Sequence, residues 1–301
     1  LNKLLSMFKF INVGATCYMN AALQMIMRAP ELNERLDGYE IAVTSPETEF
    51  LKEYNDLRRL ALSSGNCTIR PERFVRACHA LAKAKKNEAF SSLGQQDLCE
   101  FLHFIIDSLH CAMCVKEDDP ATMVLKIMRD EFQTPVAEAF FGVHVFTIMD
   151  GDILLKRTSE PFFMLDLPIP TIDGQFTLDH CFQAATLPET IEGYECDDGS
   201  RRTVQRKLEV EKWPKNLVVS LKRFLPDGRK NNAHVSIPEA VYLLKPYKLV
   251  AIANHSGGVQ GGHYVATVKG DNGWTCVDDD SAYPSQMLAK GAYCLMFCQA
   301  T

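Results

Sequence analysis

The sequence has no apolar run near the roughly 20 residues a membrane-spanning helix needs. It also has no block of one charge, no internal repeat and no low-complexity stretch. The first absence argues against a membrane partner. The second argues against nucleic acid: the densest cationic clusters, Lys83/Lys85/Lys86 and Arg201/Arg202/Arg206/Lys207, are short, and the net charge is −6. No cysteine framework is present either. The 11 cysteines are odd in number and scattered, a pattern of reduced thiols expected in an intracellular, cytoplasmic or nuclear setting. No secretory signal pattern is visible, and the chain opens on Leu1 rather than Met, as expected of a domain taken from a longer protein.

What is present is enough apolar material, 47% of 301 residues, for a substantial core in one large domain or two subdomains. Apolar residues recur at helical spacing over 22–27, 50–57, 74–81 and, longest, 98–109, with Pro30, Pro46 and the 63–66 stretch as breaks. From about Phe140 the period changes, and strands are predicted at 217–221, 248–253, 263–269, 274–278 and 292–298. Helices first and strands later predict an α+β fold with a boundary near residue 138.

Residues 10–23 read FINVGATCYMNAAL. Gly14 and Ala15 permit a tight approach, and Cys17 stands at the mouth of an apolar-periodic helix. A thiol there feels the positive end of the helix dipole, which is expected to lower its pKa and favour the nucleophilic thiolate. The same position suits a buried core cysteine. Asn12, upstream in the loop, carries an amide able to donate to an oxyanion alongside the Cys17 backbone N–H. It also suits an ordinary turn.

Residues 261–268 read GGHYVATV. Two glycines before His263 let another backbone or a thin substrate come close. A hairpin turn at 270–273 places Lys269 opposite Trp274, Val265 opposite Asp278 and His263 opposite Asp280. On that alternation Asp278 and Asp280 share the face of His263, and Asp279 points away. An acidic group there holds the imidazole tautomer and stabilises imidazolium. A hydrated strand end and a structural histidine fit the same residues, so a Cys–His–Asp hydrolase rests at this point on Cys17 and His263 meeting in space.

Taken together, these segments resemble the ubiquitin-specific proteases over nearly the whole chain. The box around Cys17 is similar to the family's N-x-G-[NA]-T-C-Y-M-N signature. QQDLCEFL at 95–102, WPKNLVVSLKRF at 213–224, and the histidine box at 247–264 with its 274–279 continuation follow in the family's order. The resemblance implies a papain-like α+β cysteine protease fold drawn as fingers, palm and thumb. It implies one catalytic domain over 1–301, with a helical thumb lobe over 1–138 and β palm and fingers over 139–301. It implies a monomeric, cofactor-free thiol hydrolase that cuts after the C-terminal glycine of ubiquitin, with ubiquitin and ubiquitinated proteins as partners.

By the same resemblance Cys17 is the nucleophile, His263 the proton shuttle, Asp278 its orienting partner, Asp279 an assisting neighbour and Asn12 the oxyanion donor. Asp97 and Glu100 match positions that meet ubiquitin's arginine-containing tail, and Gly262 and Tyr264 match the narrow channel for its glycines. The sequence departs from the family at the fingers. Cys196 has Gly199 where a second cysteine would stand, and no first pair occurs around 147–155, so no metal is expected. Cys111 and Cys114 read as a reduced structural pair. The altered fingers also admit a protease for a related modifier. A catalytically weak binding module and a papain-type endopeptidase are the remaining alternatives.

Overall fold

The structure is a computed structural model that describes residues 7–114, 119–172, 174–259 and 261–300; Leu1 lies outside the described residues. The first half is helical. A short strand β1 (Phe8–Phe10) leads into α1 (Cys17–Ile26), α2 (Pro30–Asp37) and α3 (Pro46–Ser63). Strand β2 (Cys67–Ile69) pairs in parallel with β1, and α4 (Glu72–Ala84), α5 (Leu98–Met113), α6 (Pro120–Met128) and α7 (Pro135–Phe140) follow. The prolines read as breaks are helix starts. Pro30 and Pro46 occupy the first turn, where a missing N–H costs nothing, and Ser45 caps α3 in a capping box with Thr48.

The second half begins with β3 (Gly142–Asp150), β4 (Ile153–Phe162), β5 (Met164–Pro168) and β6 (Gln175–Thr177). Helix α8 (Leu178–Thr186), β7 (Glu189–Glu195), β8 (Arg201–Lys212) and β9 (Asn216–Lys222) come next. The chain ends through β10 (His234–Ser236), β11 (Ala240–Leu243), β12 (Lys245–Gly258), β13 (Gly261–Gly270), β14 (Gly273–Asp278), β15 (Ser281–Ser285) and β16 (Ala292–Gln299). A central sheet runs β15-β14-β13-β12-β16-β9-β5, with β11 on β12, and a four-stranded sheet runs β4-β3-β8-β7.

The central sheet is buried on both faces, which explains why β9 and β16 read as nearly continuous apolar runs. On one face Val218, Ala253, Ala266 and Met296 join Tyr18, Phe50 and Phe101 of the helices in a single apolar cluster. On the other, Leu217, Val219, Leu295 and Phe297 pack with Leu167 and Leu178. Helix α1 is buried along its whole length, wedged against the sheet rather than laid on the surface. Among the described residues no helix is long and apolar enough to cross a membrane.

Candidate active site

The site is built where the start of α1 meets β13 and β14. The loop before α1 passes through two left-handed residues, Gly14 (φ 121°) and Ala15 (φ 52°). Ala15 tolerates that conformation because Asn12 holds the loop: its Oδ1 accepts from Gly14 N at 3.1 Å, Thr16 N at 3.1 Å and Thr16 Oγ1 at 3.2 Å. Thr16 makes no side-chain cap on α1, and no acidic residue occupies the first turn. The first N–H groups of the helix therefore have no side-chain cap, and those of Cys17 and Tyr18 act on the Cys17 sulfur.

The β13–β14 ladder has the expected register, with Lys269 opposite Trp274 and Ala266 opposite Val277. His263 Nε2 lies 2.6 Å from Asp278 Oδ1. A carboxylate only accepts, so Nε2 is the donor in this pair, which leaves Nδ1 as the other ring nitrogen. The prediction that Asp279 points away is corrected. Asp279 is left-handed (φ 49°), which breaks the strand alternation and turns its carboxylate back toward the site. One Asp279 oxygen takes Asn12 Nδ2 at 2.9 Å and the other takes Asn20 Nδ2 at 2.8 Å. Asn20, buried on α1, also donates to Phe10 O at 3.2 Å. No role was drawn from Asn20 in the sequence, although its motif contains it; only the fold shows that it reaches Asp279.

Cys17 is 4% exposed and lines a groove of about 820 Å³ together with Gln95, Asp97, Glu100, Gly262 and Tyr264. The Asp97 carboxylate is already occupied. Oδ1 caps α5 through Cys99 N at 2.8 Å and Glu100 N at 3.0 Å, and Oδ2 accepts from the Tyr264 and Tyr293 hydroxyls. Glu100 is exposed beside it. Gln95 was also missed: its side-chain amide bonds both the N–H and the C=O of Gly262, each at 3.1 Å. A Cβ on Gly262 would run into Ser256 O and the His255 ring rather than into the groove. Glycine there is thus demanded by the paired strand, in addition to any substrate.

A family profile described as ubiquitin carboxyl-terminal hydrolase matches residues 8–297. The chain belongs to that family. Ubiquitin carboxyl-terminal hydrolase Usp2 of Drosophila melanogaster is 25% identical over 95% of this chain and 34% of its own length. Ubiquitin carboxyl-terminal hydrolase 2 of Bos taurus is 27% identical over 95% of this chain and 54% of its own length. The chain thus spans about a third to a half of these curated relatives. Among solved structures, the Ubp8/Sgf11/Sus1/Sgf73 DUB module of SAGA bound to ubiquitin aldehyde superposes with a TM-score of 0.77 at 22% identity, covering 100% of this chain and 71% of the other. The α+β papain-like fold is therefore shared.

Within this ubiquitin carboxyl-terminal hydrolase fold, one expectation about Cys17 is reversed. Its pKa is raised above the ordinary 9.0, because burial outweighs the N–H groups of Tyr264, Tyr18 and Cys17 itself, and the Asp279 charge adds to the rise. The helix terminus lowers the thiol as expected, but desolvation wins. Among the described residues no hydrogen bond joins Cys17 to His263.

The zinc common in the family's fingers does not fit the donors of this chain. At the tip of the β7–β8 hairpin Cys196 stands with Gly199, and the β3–β4 tip offers no cysteine. Arg202 occupies the region instead, bonding Asp150 at 3.0 Å and Asp198 at 2.8 Å. Among the described residues, His263, Asp278 and Asp279 form the one group with three metal-capable atoms within 4.8 Å of one another. Their carboxylates are already held by His263, Asn12 and Asn20.

Proposed function

We propose that this chain is a thiol-dependent deubiquitinase that hydrolyses the isopeptide or peptide bond after the C-terminal glycine of ubiquitin. The observation that carries the reading is the 2.6 Å pair between His263 on β13 and Asp278 on β14, next to Tyr264, which lines the groove with Cys17. In this reading Cys17 sulfur attacks the terminal carbonyl carbon, and its proton passes to His263 Nδ1 while Asp278 stabilises the imidazolium. The oxyanion takes the Cys17 N–H and the second N–H of Asn12, whose first is fixed on Asp279. The C–N bond breaks as His263 returns the proton to the leaving amine. Water, deprotonated by His263, then cleaves the thioester.

Glu100, exposed on the groove wall, is the carboxylate for the arginine-containing tail. Asp97 acts one step back by positioning Tyr264, and Gly262 and Tyr264 form the channel wall. We read residues 1–301 as one catalytic domain, and its free cysteines fit an intracellular, cytoplasmic or nuclear setting. The relatives' names and the neighbour bound to ubiquitin aldehyde support ubiquitin over a related modifier. The test is a ubiquitin probe with a C-terminal electrophile. It should label wild-type Cys17 and spare Cys17→Ala; folded wild type that stays unlabelled would defeat the reading.

A further inference from the structure

The end of β12 pairs with the glycines of β13 that precede His263, and it is held from outside both strands. Lys230 follows a tight hairpin in which Leu225 N bonds Arg229 O at 2.9 Å and Phe224 bridges to Lys230. The base of that hairpin is anchored by buried Arg223, which bonds Ala292 O at 2.6 Å and Asn231 O and Ala233 O at 3.0 Å each. From this rigid base the Lys230 ammonium lies 2.8 Å from His255 Nδ1, 2.9 Å from His255 O and 3.1 Å from Gly257 O. An ammonium has three N–H donors, and each has an acceptor. All three acceptors lie on one strand end.

That strand end faces the site. His255 pairs with Tyr264, Ser256 with His263 and Gly257 with Gly262. The His255 ring sits 4.6 Å from Tyr264 and 5.5 Å from Phe224, and its Nε2 side faces Gly262. With Nδ1 accepting from Lys230, the ring is neutral and its proton is on Nε2.

We propose that Lys230 is a positioning residue that fixes His255 and the Gly257 turn, and through them the Gly262–Tyr264 wall that guides the tail to Cys17. The inference rests on the deubiquitinase reading for its kinetic consequence and on the fold alone for the lock. His255 is faced by Lys230 from the hairpin, by His263 and Tyr264 from β13, by Asp97 from the cap of α5 and by Tyr293 from β16, with Arg223 behind Lys230. Burial, the Lys230 charge and His263 together push the His255 pKa down to about 4, against a pull upward from Asp97.

The experiment is Lys230→Met, with Lys230→Arg as a second variant. Both are checked for folding by thermal melting, and read by ubiquitin–fluorophore kinetics and by NMR titration of the His255 ring in the free protein. Lys230→Met should raise KM about tenfold while kcat changes less than about threefold, because Gly262 and Tyr264 of the channel wall are loosened while the His263 ring keeps its own anchor on Asp278. The His255 titration should move up toward the ordinary value of about 6.5. Lys230→Arg should fall between, since a planar fork cannot aim three donors from one nitrogen. A KM within twofold of wild type overturns the inference. If the wild type fails to cleave ubiquitin, the function reading fails, and the titration still decides the lock: an unmoved His255 overturns it.

Discussion

Cys17 of the free protein should be a thiol, not a thiolate, at neutral pH. Burial pushes the Cys17 thiol above its ordinary pKa, so the protonated form predominates near neutral pH. Iodoacetamide should therefore alkylate Cys17 slowly at pH 7 and about tenfold faster per pH unit, with no plateau below pH 9. Ten other cysteines are present, so the rate is read by mass spectrometry on the Cys17 peptide, with Cys17→Ala as the blank. The perturbation is Asp279→Asn. A nearby carboxylate disfavours a second negative charge, so neutralising it lowers the thiol pKa and moves the alkylation curve to lower pH. The ubiquitin probe, by contrast, should react fast at pH 7.5, because binding holds its electrophile against the sulfur with His263 as base. A wild-type curve that is already flat below pH 7, or an Asp279→Asn curve displaced to higher pH, would refute the balance of burial against backbone N–H groups.

Asn20→Ala removes a charge-assisted hydrogen bond to Asp279 and a donor to Phe10 O. It should cost about 1–3 kcal/mol in denaturant unfolding and lower kcat/KM about tenfold or more, since Asp279, the partner of the Asn12 donor, loses one of its own anchors. Gly262→Ala should destabilise by about 1–3 kcal/mol through the forced contact with Ser256 and His255, visible as a drop in Tm even without ubiquitin. A melting temperature equal to wild type would mean the strand pair gives way freely. Prolonged chelation should leave Tm unchanged, whereas Arg202→Ala should speed hydrogen exchange over 190–205; the reverse pattern would point to a fingertip metal.

The helices that pack on the core were legible because burial imposes a period: α1, α3, α4 and α5 all fall where apolar residues recur. The β13–β14 register was legible because a short turn fixes it. Helix α8 was not. It is short, and its capping box uses His180 where a glutamate or glutamine would advertise it. Strand β8 was hidden by charge, with Arg201, Arg206, Lys207, Glu209, Glu211 and Lys212 spread along a strand that is largely exposed. Three features of the site depend on tertiary context. The left-handed turn at Asp279 has no glycine to announce it, the weight of burial on Cys17 is invisible until the groove exists, and Asp97 is consumed by tyrosines far along the chain.

That last feature has a mechanical meaning. Asp97 ties the head of α5 to β13 and β16 through two phenol groups, so one carboxylate joins the helical lobe to the strand bearing His263, beside the Gln95–Gly262 pair. A displacement of the head of α5 would therefore reach Tyr264, next to His263, through these polar bonds as well as through the shared apolar core.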